Sequence, residues 1–175
     1  MAEDTEKIAE LESEIEELKK SRDEFKNKYF YFKNVFQKQM QVFYQFYKLS
    51  DQSLQSLNGI FKGTSFENFL ACGVQPANID ALWEFAKVEA LNGNYEDVAL
   101  LNDIIKYFVK LYNDTGDTPA LGIQEVKESD IFDIDLHIRT SDSKAAGYID
   151  KIILLGLTNA YTGEIIKKAV VQVTK

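Results

Sequence analysis

An uninterrupted heptad seam constrains this chain more than any other feature of it. From Ile8 the a positions are Ile8, Ile15, Arg22, Tyr29, Phe36 and Phe43, and the d positions are Leu11, Leu18, Phe25, Phe32, Gln39 and Phe46; ten of these twelve are apolar or aromatic. Neither proline nor glycine occurs before Gly59, so nothing in the residues breaks a helix, and Gly59 and Gly63 are expected to end it. At roughly 1.5 Å per residue, the stretch from Ile8 to Phe46 makes a rod of about 58 Å. A seam of that length is more than a small domain can cover, so a second helix and hence a homodimer are expected.

Between the seam positions of the first turns lie Glu10, Glu12, Glu14, Glu16, Glu17, Lys19 and Lys20, which form a solvated face. Beyond Phe25 the pattern changes, because Phe30, Tyr31, Tyr44 and Tyr47 add aromatics on a second face. Two apolar faces need two sets of neighbours: packing in a dimer that thickens toward a bundle, or a groove for a partner.

Shorter helices are expected next. Thr64 or Ser65 caps a segment from Phe66 to Ala71 that Gly73 closes, and Pro76 with Asn78 announces a helix stopping at Gly93. Asn94 caps another, in which Val98, Leu101, Ile104, Ile105, Phe108, Val109 and Tyr112 recur at three and four residues. After Pro119 the period falls toward two, with strands expected at 122–126, 136–140, 147–155 and 164–173. The expected architecture is α+β: a long coiled-coil helix over residues 1–58, short helices forming a dimeric bundle over 59–118, and a small β domain over 119–175.

Composition narrows the chemistry. Twenty Lys and Arg against 28 Asp and Glu give a net charge of −8, which repels phosphate, so no nucleic-acid partner is expected. The acidic start lacks the basic and apolar pattern of a secretory leader, and the longest apolar run, Ile152 to Leu157, is far short of the roughly 20 residues that span a bilayer. One cysteine, Cys72, cannot form an intramolecular disulfide, and it suits a reducing cytoplasm. No membrane association is expected.

No catalytic centre, cofactor or metal site is expected either. None of the nine glycines falls in a phosphate-cradling spacing. The only imidazole, His137, has no nucleophile placed beside it by any motif, and it is expected to be structural. Asp130, Asp133 and Asp135 mimic the opening of a calcium loop, but Asp135 stands where that loop needs glycine and Ser141 where it needs glutamate. They are read as caps and turns around a strand, and Cys72 as a buried small hydrophobe.

The carboxy-terminal residues follow a recognisable order: Leu121-Gly122-Ile123, then Phe132-Asp133 before Leu136-His137, then Gly147, Gly156-Leu157, Gly163, and Ile165-Ile166-Lys167-Lys168-Ala169-Val170-Val171-Gln172-Val173. This resembles the GrpE family, nucleotide exchange factors of DnaK-type heat-shock chaperones. The likeness is strongest from Leu121 to Lys175 and elsewhere concerns architecture. It implies a homodimeric co-chaperone whose β domain docks on the chaperone's nucleotide-binding domain and favours release of ADP. It further implies contacts near Glu164, Ile166 and Val173, with Phe132, Asp133, His137, Gly156, Gly163 and Ala169 shaping the domain. The chain departs from the family pattern at Ile134, where proline is usual, at Ile138-Arg139, where glutamate-alanine is usual, and at Glu164, where many members carry a base. In the rod, the family's asparagine-aromatic-basic-basic stretch appears only as Asn34-Val35-Phe36-Gln37-Lys38, and this departure with the one at Glu164 leaves a second expectation open, a dimeric adaptor or scaffold of the same shape without exchange activity.

Overall fold

Helix α1 runs from Ala2 to Phe46 in the computed structural model, which describes residues 2–174. Four helices follow it, α2 (Asp51–Phe61), α3 (Phe66–Gly73), α4 (Pro76–Leu91) and α5 (Tyr95–Asn113). Six short strands complete the chain: β1 (Leu121–Ile123), β2 (His137–Arg139), β3 (Tyr148–Leu154), β4 (Leu157–Asn159), β5 (Ile165–Lys167) and β6 (Ala169–Thr174). The protein is therefore mixed α+β, with the strands in two small sheets at the C-terminal end. None of the helices, over the described residues, is long and apolar enough to cross a membrane.

The long helix stops at Phe46 rather than at Gly59, and the reason lies in packing. Phe46 is only 1% exposed, and its ring meets those of Phe61 at 4.9 Å and Phe69 at 5.3 Å. Phe43 packs on the same cluster, its ring tilted 5.3 Å from that of Phe69. Keeping these rings buried while the chain doubles back requires a turn after Phe46. Ser50 then caps α2, its hydroxyl accepting the Ser53 amide. Asp97 of α5 locks the turn by accepting the Ser50 amide and the hydroxyls of Ser50 and Ser53, both at 2.6 Å. Burial works against this carboxylate's charge, yet the bonds from Ser50, Ser53 and Asn94 outweigh it and hold its pKa below the ordinary value. Gly59 lies inside α2, where a Cβ would meet nothing, and Lys62, in the left-handed conformation, makes the C-cap.

The expected domain boundaries shift accordingly. Two units divide the chain, Met1–Gln41 and Val42–Lys175. The boundary expected after residue 58 falls within α2, and the one after 118 crosses a single packed unit. Within that second unit, Trp83 of α4 donates its indole N–H to the Leu155 carbonyl at 2.7 Å. Asn102 of α5 donates to the Ile153 carbonyl and accepts the Leu155 amide, so the helices are bonded to the end of β3. Phe43 and Phe46, expected in the dimer seam, belong to this unit's own core, which shortens the available seam to Ile8–Phe36.

The shorter helices start where the residues predict. Ser65 caps α3 through the Asn68 amide, Pro76 takes the first turn of α4, and Asn94 precedes α5. The strand expected over 164–173 is two strands in different sheets, parted at Lys168. The first sheet is antiparallel in the order β1-β4-β5, and the second, β2-β6-β3, pairs β2 parallel and β3 antiparallel to β6. As the central strand, β6 buries Ala169, Val170 and Val171 in succession, so its burial does not alternate.

Candidate functional site

The β4–β5 hairpin carries two of the three expected contact residues. Asn159 shapes its turn: the side-chain oxygen accepts the amides of Tyr161 and Thr162, and the backbone exchanges bonds with Gly163 and Glu164. Gly163, at φ +75°, supplies the left-handed residue that the reversal needs. The turn leaves Glu164 exposed, Ile166 half exposed and Tyr161 92% exposed. Asn159 and Tyr161 were not singled out by sequence, although an asparagine four residues before a glycine is a readable turn signal.

The third expected contact, Val173, is placed elsewhere. It is 2% exposed and packs with Ile149, Ala169 and Val171 in the core of the second sheet. A branched residue on a central strand is covered from both sides, so Val173 supports the surface from beneath and does not touch a partner. Ala169, fully buried in the same cluster, does likewise.

Phe132, Asp133 and His137 form one folded turn leading into β2. The Asp133 carbonyl accepts the His137 amide at 2.8 Å, and the Asp133 amide donates to His137 Nδ1 at 3.3 Å. The Asp133 carboxylate caps the Asp135 amide at 2.8 Å, while Asp130 accepts the Lys127 amide at 3.0 Å. These aspartates act as turn caps in the structure. Burial lowers the His137 pKa, against the opposing pull of Asp133 and Asp130. With Nδ1 committed to a backbone amide and the ring buried beside Phe132, His137 is held as a structural group. Cys72 is buried as well. Among the described residues, no group of three or more His, Cys, Asp and Glu side chains is gathered to hold a metal ion.

Gly156 is required by close approach. A Cβ there would lie 2.1 Å from Gln124 Oε1 and 2.7 Å from both the Ala169 amide nitrogen and the Lys167 carbonyl oxygen. At this point Gln124 itself is engaged, accepting the Ala169 amide at 2.8 Å and donating to the Leu136 carbonyl at 2.9 Å. The two sheets are thereby tied together behind the hairpin.

Helix α1 shows the other candidate surface. Ile8, Leu11, Ile15, Leu18, Phe25, Tyr29, Phe32 and Phe36 are all exposed, Phe25 to 69%. Arg22, the charged a position of this seam, is paired with Asp23 on the same helix at 2.8 Å. Lys28 and Lys33 lie over the rings of Phe25 and Tyr29, which leaves aromatic faces flanked by cations.

A third feature was not legible in sequence. Ile131, Ile134, Leu136 and Tyr148 are exposed together on the β region although they come from the loop before β2 and from the start of β3, and Ile131 bridges to Tyr148. Comparison with protein-family models, with curated proteins and with solved structures finds no match for this chain.

Proposed function

We propose that this protein is a non-catalytic nucleotide exchange factor that binds the nucleotide-binding domain of a DnaK-type chaperone and speeds release of ADP. The observation that carries this reading is the rigid β4–β5 hairpin, which holds Tyr161, Glu164 and Ile166 in solvent at the position where the resemblance to GrpE implies chaperone contact. No bond is made or broken in such a role. Binding that favours the chaperone's open state over its closed one shifts the population toward release, by as much as the two affinities differ. The exposed seam from Ile8 to Phe36 supports homodimerisation through α1, because eight apolar side chains at heptad spacing are left open to water. Action in the cytoplasm fits the single buried Cys72.

The decisive experiment measures release of a fluorescent ADP from DnaK-type chaperones, one from the source organism included, with and without the full chain. Acceleration of about tenfold or more, the equivalent of some 1.4 kcal/mol of differential binding, is expected. Ile166→Asp should abolish it without altering the fold. A second reading, an adaptor that binds partners and leaves nucleotide alone, is favoured by the burial of Val173 and by the acidic Glu164. Unchanged release with every chaperone, from protein shown to be folded, establishes the adaptor in place of the exchange factor.

A further inference from the structure

We propose that the β region docks a partner segment that is both basic and apolar, in a groove between the face of the first sheet and the loop that precedes β2. This rests on the reading of the chain as a partner-binding protein and identifies the chemistry of its docking face. The groove has a cavity volume of about 950 Å³ and crosses the first sheet, drawing on Ile123 of β1, Thr158 of β4 and Ile165 of β5. Its opposite wall is Ile131, Leu136 and Tyr148, all three exposed. An apolar trough left open to water on a small protein marks a surface that association covers.

Charge names the occupant. The ionised side chains lining the groove are Glu125 and Asp130, and no lysine or arginine lines it. Residues 125–135 hold five acids against Lys127 alone. The nearest cations of β5 and its exit are spoken for: Lys167 pairs with Asp80 and Glu84, and Lys168 donates to the Ile134 carbonyl. An anionic rim around an apolar floor repels acidic partners and attracts a segment that alternates lysine or arginine with aliphatic side chains.

The test uses fluorescence anisotropy of a labelled peptide alternating Lys and Leu, titrated with the full chain at low salt, beside peptides alternating Glu and Leu or Lys and Ser. Binding of the first peptide alone is expected, weakened about tenfold by Glu125→Lys and separately by Ile131→Asp. Circular dichroism of each variant checks the fold. Amide shifts in the labelled protein should centre on Ile131, Leu136 and Tyr148. Equal binding of the Lys and Ser peptide, or shifts on the acidic turns of α1 instead, overturns the proposal. So does self-association that disappears in the Glu125→Lys variant, which makes a second copy of this chain the occupant. Peptide docking without any change in ADP release leaves the groove standing and removes the exchange reading. Faster ADP release with no peptide docking removes the groove alone.

Discussion

Lys167 of β5 reaches Glu84 of α4 with Nζ 2.7 Å from Oε1, across 83 residues of chain. The same ammonium lies 2.6 Å from Asp80 and 5.4 Å over the Trp83 ring, whose indole is bonded to Leu155. A mostly buried cation thus joins the helices to the sheet that carries the exposed hairpin.

Lys167→Met should destabilise the protein by about 2 kcal/mol, as expected when a charge-assisted hydrogen bond is lost from a partly covered site. The hydrogen bond from Lys167, with a second from Lys87, holds the Glu84 pKa below its ordinary 4.5, so this stabilisation is present above that pH and fades as the pH falls through the folded value. Burial works against the Lys167 charge, but the bonds to Asp80 and Glu84 outweigh it and raise the pKa above 10.5. Its contribution is complete below 10.5 and is lost as the pH rises through the folded value. Urea midpoints of wild type and variant should therefore differ by a constant amount between about pH 5 and pH 10 and converge outside that window.

Two glycine substitutions should act in opposite directions. Gly156→Ala places a methyl group against backbone atoms of Lys167 and Ala169 and should cost several kcal/mol, on the order of 3 or more. Gly59→Ala, in a helix interior with open space around it, should stabilise by about 1 kcal/mol. Thermal melts of the two variants decide the point, and equal shifts would contradict the packing described.

His137 predicts a loss of stability on mild acidification. Its pKa is lowered by burial, so the folded protein holds the neutral ring and the unfolded chain takes up a proton first. Stability conferred by this group is complete above the unfolded value of about 6.5 and declines as the pH falls through that value toward the folded one. The urea midpoint should drop between pH 7.5 and 5.5 in wild type, and His137→Asn should flatten the decline in that range.

The proposed pairing of α1 can be tested apart from folding. Leu11→Ser, Ile15→Ser and Leu18→Ser together should weaken dimerisation in sedimentation experiments and leave the melting of residues 42–175 unchanged. Arg22→Leu should tighten the dimer by removing a charged a position. Phe46→Ala, by contrast, should unfold the second unit by about 3–5 kcal/mol, since that ring is core.

The difference between Phe25 and Phe46 shows where sequence reading ends. Both are d positions of one heptad pattern, and periodicity treats them alike. One is exposed and the other buried against Phe61 and Phe69, because the chain turns at Ser50 under the hold of Asp97, a residue 47 positions away. The end of α1 had no glycine or proline to announce it.

Local chemistry alone determined the helical N-termini at Ser65 and Pro76, the glycine turn at Gly163, the change from helix to strand after Pro119, and the absence of any phosphate-binding glycine motif. Each depends on dihedral preference or on side chains within one or two turns of each other. Tertiary structure decided what those signals cannot carry: the division of residues 164–173 between two sheets, the burial of Val173, the need for glycine at position 156, and the gathering of Ile123, Ile131, Leu136, Tyr148 and Ile165 around one acidic-rimmed groove. Strand pairing and burial depend on contacts between distant residues, and a local pattern such as the run from Ile165 to Val173 is compatible with more than one set of them.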